Sequence, residues 1–304
     1  LFKGQKTGDG RQEALGAIPV EIHVADYELP IPKCYKEPER DFLVTFYHYN
    51  SLGWLMAYNG GDRELAIRQY DVMLRDMAEH GQNLHPCWFN MGPEELYAVD
   101  RCIRAGMRPD VFIGGCSFYS DDREKRLAEI KRVADEYDRR FGCHNLYNCF
   151  GDEPGLGKGF FYPLADRIED WKSFGMSHFI AGEECVFRKM GYGTGWFNMA
   201  VDPTRDDNRQ LRLWNGVPGK RTAWYARQHV GAENPALARR QNGLGAWLAG
   251  FTCLANYAHH LGPYNDASEY YKPMVFAYGA HSGMIDTVQW EGFREGIDDM
   301  RYAT

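Results

Sequence analysis

Two adjacent carboxylates, Asp152 and Glu153, stand between Gly151 and the pair Pro154-Gly155, directly after the mostly apolar run His144 to Phe150. Paired acids can divide proton transfer between them, one kept protonated as donor and one ionised as acceptor or electrostatic partner. A strand sends successive side chains to opposite faces. Both acids can therefore face one substrate only where the chain leaves regular β geometry. Gly151 permits that departure, and Pro154 biases Glu153 towards an extended backbone. A solvated turn carrying two acids fits the same five residues.

The elements that must position this pair follow a β-then-α rhythm from Asp41 onward. The expected strands are 42–47, 83–89, 111–113, 144–150, 177–181, 196–200, 221–225 and 252–257. The clearest helix covers Asp62 to His80, with Leu65, Tyr70, Met73, Leu74 and Met77 on one face, Asp62 as N-cap and Gly81 as stop. Pro93 to Ala105 reads as a second helix, and Asp121 to Arg140 as a long amphipathic one. Further helices are expected at 162–174, around 206–214, at 235–249 and within 285–302. Eight such pairs imply an α/β fold, a (β/α)8 TIM barrel over residues 41–304. No G-x-G-x-x-G follows the first strand, and no P-loop is present, which disfavours a nucleotide-binding open sheet. Residues 1–16 read as a loop, and Ile18 to Tyr27 alternates like a half-buried strand. A proline-rich and charged stretch, 29–40, follows it. Residues 1–40 are accordingly expected to be the end of an upstream β-domain plus a linker.

Barrel enzymes carry their reacting groups at the C-terminal ends of the strands. The residues there are His48 and Asn50, Trp88 and Asn90, Tyr119, Asp152 and Glu153, Glu183 and Glu184, Asn198, Trp224 and Tyr225, and Tyr257 followed by His259 and His260. This mix of amide, acid and aromatic groups suits a sugar site. Adjacent histidines on a strand face opposite ways, so His259 and His260 are not expected to hold a metal, and no cofactor is expected.

Composition narrows the partners. The 304 residues carry a net charge of −7 without a recurring basic block, which argues against nucleic acid. No apolar run approaches the roughly 20 residues that span a bilayer. The eight cysteines include no Cys-x-x-Cys pair and are expected to be mostly free thiols. The chain begins at Leu1, so an upstream N-terminus and any signal peptide are expected to be missing from it. Homo-oligomerisation stays open.

Most glycosidases use two carboxylates, in a common barrel version after strands four and seven. The seventh strand here ends without one; the nearest acid is Glu233. That leaves the route in which the substrate's own acetamido group is the nucleophile, beside a two-carboxylate route pairing Glu153 with Glu183, Glu184 or Glu233, or a non-catalytic carbohydrate-binding or surface structural barrel.

Three patches, in order, carry a family resemblance: Glu21 to Pro30, Gly151-Asp152-Glu153-Pro154, and Trp290 to Asp299. Together they resemble glycoside hydrolase family 123, the β-N-acetylgalactosaminidases. The resemblance implies a catalytic barrel after a β-sandwich, a glycan substrate, retention of configuration and an extracellular or periplasmic setting. It implies Glu153 as general acid and Asp152 as the group that holds the acetamido N–H. His48, Asn50, Trp88, Asn90, Tyr119, Trp196, Asn198, Trp224, Tyr225 and Tyr257 are the expected sugar-binding residues.

Overall fold

A computed structural model describes residues 2–6, 12–16, 19, 21–24, 26, 42–48, 51–85, 93–109, 111–114, 120–143, 145–152, 161–182, 196–199, 211, 214, 216–218, 220–225, 234–260 and 275–303. The chain divides into two compact units, residues 1–30 and 31–304.

In the first unit, β1 (Phe2–Lys6) pairs antiparallel with β2 (Gln12–Gly16), with Phe2 opposite Gly16 and Lys6 opposite Gln12. The loop expected at 1–16 therefore contains a hairpin. The strand expected at 18–27 is corrected: residues 21–24 are neither strand nor helix. Ile22 and Val24 are 79% and 89% exposed. Alternation makes a strand only where a neighbour accepts its hydrogen bonds and covers its apolar face.

The second unit is a parallel barrel. Its strands are β3 (Leu43–His48), β4 (Val111–Gly114), β5 (Asn145–Asp152), β6 (Ser177–Gly182), β7 (Trp196–Met199), β8 (Arg221–Trp224) and β9 (Cys253–His260). Neighbours run β4-β5-β6-β7-β8-β9-β3, so the last strand pairs with the first, Leu43 beside Cys253. The remaining gap, between β3 and β4, is where the second strand was expected. Residues 82–85 are not a regular strand, but they bond as one would. Asn83 N and Leu84 N donate to Val44 O, and Arg108 N donates to Asn83 O. The Asn83 side chain completes the seam: its Oδ1 accepts from Val44 N at 2.8 Å and its Nδ2 donates to Phe42 O at 3.1 Å. The rest of that expected strand, 86–89, lies outside the described residues.

The helices are α1 (Leu52–Tyr58), α2 (Arg63–Glu79), α3 (Pro93–Arg104), α4 (Arg123–Phe141), α5 (Phe161–Lys172), α6 (Pro235–Arg240) running through a kink at Gln241–Gly245 into α7 (Ala246–Ala249), and α8 (Val288–Ala303). A hairpin, β10 (Ala277–Ala280) and β11 (Gly283–Asp286), precedes α8. Helix starts follow local chemistry. Asp62 accepts from Leu65 N at 2.9 Å, and Asp122 from Glu124 N at 3.0 Å, satisfying N–H groups the helix leaves unpaired. α4 stops at Gly142, whose φ of 63° favours glycine.

Two cores result from strand alternation. Val44, Phe46, Leu146, Ile180, Trp224 and Leu254 face out and pack with the helices. Leu43, Tyr47, Phe179, Ala181, Ala223, Tyr225, Cys253 and Ala255 fill the barrel. Cys102, Cys143 and Cys253 are buried; burial pushes the Cys102 thiol up to about 12, leaving it unreactive. In the outer layer Phe46 touches Trp290 and Phe293 at 5.2 and 5.0 Å between ring centroids, fixing α8 on the first strand. α8 also meets α6 almost backbone to backbone. A Cβ at Gly292 would overlap Pro235, and one at Gly296 would overlap Arg239. Arg239 then clamps Asp299 with Nε at 2.6 Å and Nη2 at 2.8 Å. Arg294 bonds Glu291 and Asp298 on its own helix.

Two outcomes are expected. Asn83→Ala strands the Val44 N–H and Phe42 carbonyl in a buried seam and lowers unfolding free energy by about 1–3 kcal/mol in urea titrations; an unchanged midpoint would remove the seam role. His178, beside Trp171 on the outer face of β6, is brought by burial from 6.5 to about 4, against the opposing backbone hydrogen bonds to Ile168 and Asn148. The unfolded chain takes up that proton first, so stability is full above pH 6.5 and falls as pH drops from 6.5 towards 4. His178→Phe flattens this slope; equal slopes for both proteins would refute the assignment.

Candidate active site

The barrel interior towards the C-terminal strand ends is aromatic. Tyr47 of β3 lies 6.3 Å from Phe179, 6.5 Å from Tyr225 and 5.6 Å from Tyr257 between ring centroids. Tyr225 is buried and Tyr257 half-buried against the same cluster. Three phenols, from β3, β9 and the residue after β8, form an aromatic wall inside the barrel, with Tyr47 itself buried; aromatic rings with a polar tip are the side-chain type that contacts sugars. Tyr147, another member of this lining, has its phenol pushed up by burial, an effect partly offset by the charge and hydrogen bond of Arg221.

β5 supplies the irregularity that the acid pair requires. Tyr147 and Asn148 pair in step with Ser177 and His178 of β6, and Cys149 with Phe179. The next pair is Asp152 with Ala181, so three steps along β5 match two along β6. This is a bulge, which locally breaks the ladder and changes which positions share a face. It brings position 152 level with Ala181, an interior position two residues beyond Phe179. Across the next strands Asn198 lies in register with both Ala181 and Ala223, and Trp196 with Phe179 and Arg221. Asp152, Asn198 and Ala223 thus form one level of the interior ladder.

The structure separates the expected site residues. Tyr225 and Tyr257 come together, and Asp152, Trp196 and Asn198 occupy interior-register positions. Trp224 does not join them. It is 2% exposed and packs in the outer cluster, because its neighbours Ala223 and Tyr225 take the inner face. His48 pairs in register with His260 across an irregular step of β9. His260 Nδ1 donates to Ala277 O at 3.0 Å, and His259 is fully buried against Asp76, so neither is a free rim residue. Glu153, Asn50, Trp88, Asn90, Tyr119, Glu183, Glu184 and Glu233 lie outside the described residues. Tyr47 lies within β3 and not past its end, and the alternation Leu43, Thr45, Tyr47 is the sequence signal for its inner face.

No family model matches the chain, and no curated protein matches it. Solved structures do. An endo-1,4-β-mannanase from Rhizomucor miehei has TM-score 0.53 at 10% identity, over 86% of this chain and 95% of its own. Saccharomyces cerevisiae Gas2p in complex with laminaritetraose and laminaripentaose has TM-score 0.56 at 10% identity, over 86% of this chain and 64% of its own. A GH99 endo-α-mannosidase from Bacteroides thetaiotaomicron covers 86% of this chain and 98% of its own at 11% identity, with TM-score 0.48. At such identity the first two likenesses establish the fold: the chain is a (β/α)8 barrel of the architecture that these carbohydrate-related proteins share. Among the described residues no helix is long and apolar enough to cross a membrane.

The division between inner and outer faces makes Trp224 a stability residue. Trp224→Ala is expected to cost about 3–5 kcal/mol in chemical denaturation; a cost below about 1 kcal/mol would contradict its place in the outer core.

Proposed function

We propose that residues 41–304 form a glycoside hydrolase barrel whose reacting groups are Asp152 and Glu153, and that residues 1–40 are the end of an upstream β-domain and its linker. The observation that carries this reading is the bulge in β5, which brings position 152 into register with interior Ala181 at the C-terminal end of the fourth barrel strand. Bulges beside active sites re-aim side chains, and catalytic groups in this fold occupy the strand ends. The tyrosine wall of Tyr47, Tyr225 and Tyr257 supports a carbohydrate as the ligand.

The finer reading is hydrolysis of a β-linked N-acetylhexosamine, of which N-acetylgalactosamine is the first candidate, with retention. Glu153 protonates the glycosidic oxygen as the bond to the anomeric carbon breaks. The acetamido carbonyl oxygen attacks that carbon from the other side and forms an oxazolinium ion. Asp152, ionised, holds the acetamido N–H and stabilises the positive charge. Glu153, now ionised, removes a proton from the water that opens the ring. Support for this route is the adjacency of the two acids and the absence of an acid at 221–228 in the seventh-strand region. Trp196, Asn198, Tyr225 and Tyr257 line the substrate side in this proposal, with His48, Asn50, Trp88, Asn90 and Tyr119 completing the rim.

Asp152→Asn and Glu153→Gln are each expected to lower hydrolysis of a chromogenic β-N-acetylgalactosaminide by about 10²–10⁴-fold. A wild type no faster than both variants would eliminate the enzyme reading in favour of a binding barrel. Activity without inhibition by a thiazoline mimic of the oxazoline would favour the two-carboxylate route.

A further inference from the structure

A second polar cluster lies in the outer layer, where α2, β11 and α8 meet. Asp76 and His80 are one turn apart on α2, and Asp286 ends β11. One ligand atom from each of the three falls within 4.8 Å of the others. The geometry points to a divalent-cation site formed by Asp76, His80 and Asp286, with Glu291 of α8 as a fourth ligand, taking a borderline ion such as Zn²⁺ or Mn²⁺.

The His80 ring carries the inference. Its Nδ1 lies 2.8 Å from the Asp76 carbonyl oxygen, which can only accept, so Nδ1 bears a proton, and in the neutral ring Nε2 presents the lone pair. That Nε2 is buried without a hydrogen-bond partner, on a side chain only 6% exposed. It lies 3.7 Å from Glu291 Oε1, too far for a good hydrogen bond. Two ligand atoms each about 2.1 Å from one ion sit about 3–3.5 Å apart, close to this spacing. An imidazole whose other nitrogen donates to a backbone carbonyl is the arrangement that metal sites use to fix a ligating histidine.

The carboxylates agree. Asp76 Oδ2 is held by Trp290 Nε1 at 3.1 Å and His259 Nε2 at 3.4 Å. Its Oδ1 lies 3.4 Å from His80 Nδ1, the ring nitrogen that also bonds the Asp76 carbonyl oxygen. Those two donors orient the carboxylate as outer-shell partners orient a ligand. Asp76 and Asp286 each bring a carboxylate oxygen within 4.8 Å of the other's and of a His80 ring nitrogen, and a 2+ ion between them would neutralise both carboxylates. Asp286 is exposed, which gives the ion a way in. Imidazole with carboxylates suits zinc or manganese better than calcium, which prefers all-oxygen sites. Such an ion would clip the β10–β11 hairpin to α2 and α8, a structural task separate from the proposed hydrolysis.

The test uses the 304-residue chain stripped with EDTA and titrated with ZnCl₂, MnCl₂ and CaCl₂ by calorimetry, with melting temperature followed in parallel. Expected are one-to-one binding of Zn²⁺ or Mn²⁺ and a rise in melting temperature. Asp286→Asn, at an exposed position that leaves folding intact by circular dichroism, lowers affinity at least tenfold; His80→Gln lowers it further. Co²⁺ bound to wild type gives a visible absorption band that His80→Gln shifts. No one-to-one binding by the stripped protein, binding of Ca²⁺ alone, or affinity unchanged by Asp286→Asn would overturn the site.

Discussion

Closure of the barrel is the constraint on which the rest depends. β3 and β9 are separated by about two hundred residues of chain, yet Leu43 to Phe46 pair in step with Cys253 to Asn256. Until that pairing forms, neither strand has an inside. Once it forms, every strand acquires one face towards the helices and one towards the centre, and the tyrosine wall exists only as a result. The closure is reinforced from outside. Phe46 packs under Trp290 and Phe293, and α8 can lie that close because Gly292 and Gly296 let it touch the α6 backbone. On the other flank Asn83 substitutes side-chain hydrogen bonds for a regular ladder.

Strict alternation would be a poor way to build a site in such a sheet, since half the residues at each strand end face the helices. The chain departs from it where chemistry is proposed. The bulge in β5 uses three residues against two of β6, and β9 is irregular between Asn256 and His260. On β8, where alternation is kept, Trp224 is lost to the outer core and Tyr225 is retained inside. The two outcomes follow from the same rule, that position along a strand decides side and only an inserted residue changes it.

The outer layer is held by polar groups whose geometry differs from that of ordinary surface pairs. Asp170 of α5 is 1% exposed and accepts from Arg126 at 2.6 Å and from Arg123 at 2.9 Å. Burial alone would raise its pKa, but the two arginines outweigh it and hold the carboxyl below its usual range. Asp76 has no arginine beside it. Its neighbours are imidazoles, an indole N–H and a second carboxylate, and burial outweighs the opposing effect of His80 and raises it.

Much of the architecture is legible in the residues themselves. The apolar stripe Tyr70, Met73, Leu74 and Met77, the cap Asp62 and the stop Gly81 define α2, because hydrophobic period and capping act within a few residues. The same holds for α4 from Asp122 to Gly142, and the β–α rhythm fixes the barrel class. The sequence also offers the adjacent acids after the fourth strand. Other features depend on partners distant in the chain. The hairpin at 2–16 and the unpaired stretch 21–24 depend on which segment finds a neighbour. Trp224 and Tyr225 look equivalent as neighbours in sequence and part only when the barrel gives β8 two faces. Asp76, His80, Asp286 and Glu291 are scattered over more than two hundred residues and meet because α2, β11 and α8 share one side of the closed barrel. Local spacing determined the elements and the chemistry on offer at Asp152 and Glu153. Long-range strand pairing decided inner from outer, and therefore which of the offered side chains can act together.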